Sequence, residues 1–250
     1  MKLEDIIKGV KPTKLLYLEN SYADAVKAEI LRVVLVKKRG VYLILNETVF
    51  HPKSGGQPSD KGVFENPTFN ITIKKAMILQ GVIVHWGKIR EGTPYETETH
   101  VKIEWNPRYL YMRRHTAGHL LDHCLKKITG QPVVTTDSWL GTPCYVGYEG
   151  KIPPIEEFNA ALDLSNSLIK QGANVQIRVV SHSELTSKAP DAPNIYRLPH
   201  LQSYRTVTIE GCEPIPCAGT HVKNINEIKG VKVNSVEKTD TRFKVYYDVI

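Results

Sequence analysis

The 250-residue sequence has no apolar run long enough to cross a membrane as a helix, which takes about 18 or more residues. Residues 1–10 mix Lys2, Glu4, Asp5 and Lys8 where an export signal would place a basic start and an apolar stretch. The four cysteines are too few for a disulfide scaffold in a chain of this length. We therefore expect a cytoplasmic protein with no membrane partner, whose cysteines are thiols or metal ligands.

Acidic residues are also in the minority. There are 26 Asp and Glu residues against 33 Lys and Arg residues, for a formal net charge of +7. A polyanionic partner fits this charge, because each phosphate neutralised by Lys or Arg releases condensed counterions. Charge alone does not separate such a protein from an ordinary basic one.

Short β-branched runs separated by turn residues fill the first hundred positions. The runs at residues 30–36 and 41–45 flank Lys37-Lys38-Arg39-Gly40 and predict a hairpin. Further runs at residues 71–73 and 81–86 predict more strands. We predict a small antiparallel β-barrel-like domain over residues 1–103.

Helical signals begin at Asn106, which suits an N-cap, and Pro107, which suits a first helical position. Lys126 near the end and Gly130 beyond it predict a helix over residues 107–129. The later elements are mixed: strand and turn at 132–147, a helix from 155 to Gly172, strands at 175–180 and 206–209, and a hairpin within 231–250. This order predicts an α/β two-layer sandwich over residues 104–250 and an α+β chain as a whole.

Two short motifs suggest a metal site. His115 and His119 are four residues apart on the predicted helix, so their imidazoles share one face. Cys217 and His221 stand in a later turn, where the preceding prolines predict that neither helix nor strand supplies the geometry. Three imidazoles and one thiolate match the ligand preference of tetrahedral Zn²⁺. Thr116 follows the first histidine, so the glutamate of an H-E-x-x-H peptidase is absent.

A third motif is the loop at residues 51–62, which contains Gly55, Gly56 and Gln57. Paired glycines let backbone N–H groups approach another surface, and the Gln57 amide can bond a base, sugar or phosphate. An ordinary turn is the alternative for this loop taken alone.

The order Gly-Gly-Gln, H-x-x-x-H, C-x-x-x-H resembles the editing module of alanyl-tRNA synthetases. The whole chain resembles the freestanding form of that module, the AlaX proteins, in their medium-length class. This resemblance implies that His115, His119, Cys217 and His221 form a zinc site. It also implies that Gly55, Gly56 and Gln57 shape the site or hold tRNA. One departure is Ala218, where the family commonly has glycine.

The resemblance implies hydrolysis of the ester in tRNA(Ala) that carries a non-cognate amino acid, with Ser-tRNA(Ala) first and Gly-tRNA(Ala) second. Alanine fits any pocket that accepts serine, so a polar group must bind the serine hydroxyl. Thr135 and Thr136 are the candidates, and the resemblance favours Thr136. Asp122 and Asp137 are near in sequence, but no general base is assigned. Whether His221 ligates the ion or leaves a place for water stays open.

Two alternatives remain at this point. One is a non-catalytic tRNA-binding module in which a fully coordinated zinc only staples the second domain. The other treats Gly-Gly-Gln as the tip of a peptide-release factor, but this leaves both metal motifs unexplained.

Overall fold

The computed structural model describes residues 2–195 and 198–250. The chain separates into two compact units, one of Met1–Ser54 with Pro58–Tyr109 and the other of Gly55–Gln57 with Leu110–Ile250. No helix in the described ranges has the length and apolar character needed to cross a membrane. The assignment of separate roles to residues 1–103 and 104–250 stays a prediction.

The first unit is built around a closed antiparallel barrel with the strand order β2-β3-β7-β6-β5-β8. Its elements are α1 (Leu3–Ile7), β1 (Lys14–Leu15), α2 (Leu16–Glu19), β2 (Ala25–Val36), β3 (Gly40–Leu45), β4 (Glu47–Thr48), β5 (Gly62–Asn66), β6 (Phe69–Leu79), β7 (Val82–Gly92) and β8 (Glu98–Ile103). Alternate side chains such as Leu43, Phe64 and Ile71 point inward and are fully buried. The predicted barrel is confirmed.

The hairpin between β2 and β3 closes through three residues, 37–39, of which Lys38 and Arg39 are the central pair of the four-residue turn from Lys37 to Gly40. Val36 pairs with Gly40, and the Gly40 N–H donates to the Lys37 carbonyl over 3.3 Å. The two central residues, Lys38 and Arg39, have φ values of 59° and 58°. Positive φ at both central positions is the mark of a type I′ turn.

A buried ion pair holds the two ends of the 51–60 loop within the first unit. Arg108 and Asp60 side chains are 0% and 1% exposed, and the Arg108 Nε donates to both Asp60 oxygens over 3.1 Å. Asp60 also accepts from the His51 N–H over 2.6 Å. Arg108 donates in addition to the carbonyls of Ser21 and Val49. The carboxylate is therefore paired and hydrogen-bonded, as a buried charge requires.

The second unit combines helices with two antiparallel sheets, of order β14-β15-β10-β9 and β11-β12-β13. Its elements are most of α3 (Trp105–Thr129), then β9 (Thr135–Trp139), β10 (Tyr145–Glu149), α4 (Ile155–Gln171), β11 (Val175–Ser181), α5 (His182–Lys188), β12 (Ser203–Ile209), β13 (Ile215–Pro216), a 3-10 helix (Ile225–Ile228), β14 (Val231–Lys238) and β15 (Arg242–Val249). The α+β class is confirmed.

Helix α3 begins at Trp105, two residues before the predicted first helical residue, Pro107. The prediction that Asn106 is the N-cap is wrong, because Trp105 is already helical. Trp105 stacks on Tyr109 one turn later, with ring centroids 5.5 Å apart, and this i, i+4 pair supports the earlier start. At the other end, Gly130 adopts φ 66° and its N–H bonds the Lys126 carbonyl, as predicted.

Candidate metal centre

The second unit brings together the four predicted ligands. The ligand atoms of His115, His119, Cys217 and His221 all lie within 4.8 Å of one another. Cys217 Sγ is 3.4 Å from His115 Nε2 and 3.3 Å from His221 Nε2. The i, i+4 spacing on α3 stacks the first two rings, with centroids 4.9 Å apart.

These distances suit a tetrahedral ion. With Zn–S near 2.3 Å and Zn–N near 2.0–2.1 Å, neighbouring ligand atoms should be roughly 3.3–3.6 Å apart. The two sulfur–nitrogen distances match that spacing. His119 Nε2 is buried and has no hydrogen-bond partner among the described residues. A buried ring nitrogen without a partner is unfavourable, and an ion at this point would satisfy it.

Thr116 fixes the proton on His221. Its hydroxyl donates to the Met112 carbonyl over 2.9 Å and accepts from the Val222 N–H over 3.3 Å. His221 Nδ1 lies 3.1 Å from the same oxygen. Because the single hydroxyl hydrogen is already used, the oxygen accepts from Nδ1–H, and the lone pair of Nε2 is left for a metal. The sequence contained this signal inside H-x-x-x-H, and our sequence analysis missed it.

Burial also sets the protonation states at the centre. Desolvation lowers the pKa of His119 to about 4, so this imidazole is neutral at physiological pH, which is the ligand form. Desolvation raises the pKa of the Cys217 thiol, although the Gly219 N–H and Arg205 oppose the shift. Binding of a metal would therefore release the thiol proton.

Space for the His115 ring comes from Gly219. A Cβ at this position would lie 2.2 Å from His115 Cε1 and 2.4 Å from His115 Nδ1, well inside contact distance. Ala218, the departure from the family pattern, is exposed. Its methyl group therefore does not crowd the cysteine turn.

Gln57 is fully buried, and its amide is used within the protein. Nε2 donates to the Thr220 hydroxyl over 2.9 Å, and Oε1 accepts from the Thr220 N–H over 3.2 Å. The Gly56 carbonyl accepts from the Leu140 N–H over 2.9 Å. Of the two roles left open for this loop, the contacts support shaping the site. The sequence offered no sign of Thr220 as the partner.

The cysteine turn is anchored by a short strand, so the expectation that no strand supplies its geometry is wrong. In β13, Pro216 pairs with Thr206 of β12. One residue later, the Cys217 N–H donates to the Arg205 carbonyl over 3.0 Å, and the Arg205 guanidinium donates to the Cys217 carbonyl over 2.5 Å. Proline fits here because β13 is an edge strand, where its missing N–H is tolerated.

The two candidate threonines lie on opposite faces of the β9–β10 sheet. Thr135 pairs with Tyr148, so both point to the buried face, and the Tyr148 hydroxyl donates to Asp122 of α3 over 2.8 Å. The Thr136 hydroxyl instead donates to Asp137, whose carboxylate also binds Lys244 on the outer face. The structure therefore brings Thr135, and not Thr136, to the side of the helix that carries the histidines.

A small cavity of about 30 Å³ adjoins the centre. Thr116, His119 and Asp122 of α3 and Pro193 contribute to its wall. The Thr135 hydroxyl donates to the Pro193 carbonyl over 3.2 Å. Burial raises the pKa of Asp122 to about 7 despite the bond from Tyr148. The cavity has room for a water molecule.

Known proteins are similar to this chain over almost its whole length. The family model for tRNA synthetases class II (A) matches residues 11–108. The alanyl-tRNA editing protein AlaX-M of Methanosarcina barkeri is 29% identical over 247 residues, which cover 95% of this chain and 99% of that protein. The predicted resemblance to the AlaX-M proteins is confirmed. The AlaX-M protein of Methanosarcina mazei is 28% identical over 249 residues, covering 95% and 97% of the two chains.

Alanine–tRNA ligases match as well, but over a smaller share of their length. The ligase of Hyperthermus butylicus is 31% identical over 243 residues, which cover 94% of this chain and 25% of the ligase. The AlaX-M proteins, in contrast, match almost from end to end.

Proposed function

We propose that this chain is a zinc-dependent deacylase that hydrolyses the ester bond of mischarged tRNA(Ala), with Ser-tRNA(Ala) as first substrate and Gly-tRNA(Ala) as second. One observation carries the proposal: His115, His119, Cys217 and His221 meet within 4.8 Å, although about a hundred residues separate the two motifs. Similarity to proteins named alanyl-tRNA editing proteins supports the choice of tRNA(Ala).

Zinc held by three of these four side chains, with the fourth position open to water, would act as a Lewis acid and lower the pKa of the bound water. The chain's own contribution is to place the ligands. Thr116 orients His221, and Gln57 holds Thr220 next to it in sequence. We propose that Gly55, Gly56 and Gln57 act on the substrate indirectly, by shaping this turn, and not through a free amide.

Discrimination of serine from alanine requires a group that bonds the serine hydroxyl, because both side chains fit a pocket made for serine. We propose Thr135 for this role in preference to Thr136. Thr135 shares the buried face with Tyr148 and bonds Pro193 at the wall of the cavity. The cavity of about 30 Å³ would accept a hydroxymethyl group.

The test is deacylation of Ser-tRNA(Ala), Gly-tRNA(Ala) and Ala-tRNA(Ala) by protein loaded with zinc, treated with chelator, and reloaded. We expect rapid loss of the seryl ester, slow loss of the alanyl ester, and reversible inactivation by chelator. Cys217→Ala should lose bound zinc and activity together. A zinc-loaded protein that leaves all three esters intact would refute the proposal.

The second candidate function is a tRNA-binding module in which zinc has only a structural role. The presence of a fourth candidate ligand side chain favours it. If Cys217 and all three histidines ligate at once, no position remains for water or substrate. X-ray absorption of the zinc-loaded protein separates the two functions. For the deacylase, we expect an oxygen or nitrogen ligand from outside the protein, which changes when a non-hydrolysable seryl analogue is added. A purely structural zinc would keep its four protein ligands unchanged.

A further inference from the structure

Five cations cluster at one end of the barrel in the first unit. The hairpin turn between β2 and β3 contributes Lys37, Lys38 and Arg39, and β7 contributes Lys88 and Arg90. All five side chains are exposed. We call this set the basic tip.

Hydrogen bonds hold the basic tip together. The Ile89 N–H of β7 donates to the Arg39 carbonyl over 2.9 Å. The Arg39 guanidinium donates to the Arg90 carbonyl over 2.6 Å, and Lys88 Nζ donates to the Lys38 carbonyl over 3.4 Å. These bonds use backbone carbonyls as acceptors, so they leave the positive charges uncompensated. Within residues 2–195 and 198–250, no carboxylate lies within 4.0 Å of any of the five cations.

The backbone conformation of the turn independently indicates that the basic tip has a function. Lys38 and Arg39 sit in the left-handed region, where a type I′ turn ordinarily takes Asn-Gly. Side chains with a Cβ are strained there. Glycine is present one position later, at Gly40, where a Cβ would meet Val36 Cγ2 at 2.6 Å. The chain thus keeps two cations in the places that stability alone would give to asparagine and glycine, and strain of this kind concentrates at functional positions.

We propose that the basic tip binds the phosphate backbone of RNA, and specifically that of the tRNA substrate. Five uncompensated positive charges on a twisted hairpin and the adjacent strand are complementary to a phosphate chain, and the overall charge of +7 points the same way. The proposal rests on the proposed function only for the identity of the RNA. It assigns phosphate binding to a part of the chain that none of the three motifs includes.

The test uses the full-length protein and an uncharged tRNA(Ala) transcript, with binding followed by fluorescence anisotropy between about 50 and 200 mM salt. The main variant carries Lys38→Asn and Arg39→Gly, which removes two charges and restores the preferred turn sequence. We expect affinity to fall by about tenfold or more and the slope of log K against log salt to fall by about 2, since each phosphate contact contributes about 0.9. Because the strain is relieved, Tm should rise by about 2–4 °C.

A second variant, Lys37→Gln with Lys88→Gln, removes two charges without changing either residue that has a positive φ. It should weaken binding to a similar degree with no gain in Tm. The matched control, Lys151→Asn with Lys170→Asn, removes two exposed cations from the second unit and should bind nearly as the wild type does.

Unchanged affinity and salt slope in both tip variants, or an equal loss in the control, would overturn the proposal. Failure of the proposed function is distinguishable. If the wild-type protein binds the transcript through the basic tip but deacylates none of the charged tRNAs, the proposed deacylase function is refuted. The proposal that the basic tip binds RNA is then still supported.

Discussion

Replacement of Gln57 by leucine separates the two roles considered for the Gly-Gly-Gln loop. Leucine keeps most of the buried volume but removes the bond to the Thr220 hydroxyl and the bond from the Thr220 N–H. Each bond contributes about 1 kcal/mol net, and a buried N–H left without a partner costs about 1–3 kcal/mol. The total loss of stabilisation is roughly 2–4 kcal/mol, and it affects the turn between Cys217 and His221.

The expected result is a loss of zinc affinity. Partners of metal ligands typically change metal affinity by about 10- to 100-fold when they are removed, and we expect Gln57→Leu to lie in this range. The assay is competition for zinc between the protein and a chromophoric chelator at fixed pH. Thr220→Ser keeps both bonds and should bind zinc as the wild type does. Gln131→Leu, at an exposed position, is the matched control.

The same variants should be tested for binding of the tRNA(Ala) transcript. If Gln57→Leu binds zinc within about twofold of the wild type but loses tRNA affinity, the amide contacts RNA and our placement of it is refuted.

Three further predictions concern the neighbours of the centre. Gly219→Ala should displace the His115 ring and lower zinc affinity by about tenfold or more, as measured by chelator competition; unchanged affinity would show that the turn has room. Thr135→Val should reduce the ratio of Ser-tRNA to Ala-tRNA deacylation rates by about 100-fold, and Thr136→Val should leave it nearly unchanged; the opposite pattern would assign the role to Thr136. Burial raises the pKa of Asp122 from 3.8 to about 7, so the folded state retains this proton longer than the unfolded state does. The free energy of unfolding should therefore fall by up to about 4 kcal/mol as pH rises from about 4 to about 7, and stay level above pH 7. The Tm advantage of Asp122→Asn should grow over the same window, and an advantage independent of pH would contradict the assignment.

Local signals were sufficient for the β2–β3 hairpin, for most of helix α3 and for the spacing of the histidine pair. Proline near the start and Gly130 after the end predicted helix α3 closely, and its four-residue spacing of histidines predicted a shared face. The turn residues between β2 and β3 predicted their hairpin. In each case the physical cause lies within a few residues of the effect.

The remaining features depend on contacts that are distant in sequence. Gln57 and Thr220 are 163 residues apart, and no local pattern marks them as partners. The faces of Thr135 and Thr136 depend on a register shift between Val146 and Tyr148 of the neighbouring strand. Simple alternation along β9 does not reveal that shift, so the sequence alone does not show that Thr135 shares the face of Tyr148 and that Thr136 lies on the opposite face.

The hydroxyl of Thr116 has a consequence for how the protein responds to metal supply. Two of its three hydrogen bonds join α3 to the backbone and ring of the cysteine turn through protein atoms alone, and the third bonds the Met112 carbonyl within α3. These bonds place the His221 ring by folding, before any ion binds. Under the proposed zinc dependence, a cell short of zinc would accumulate folded but inactive molecules, which regain activity on metal uptake without synthesis of new chains.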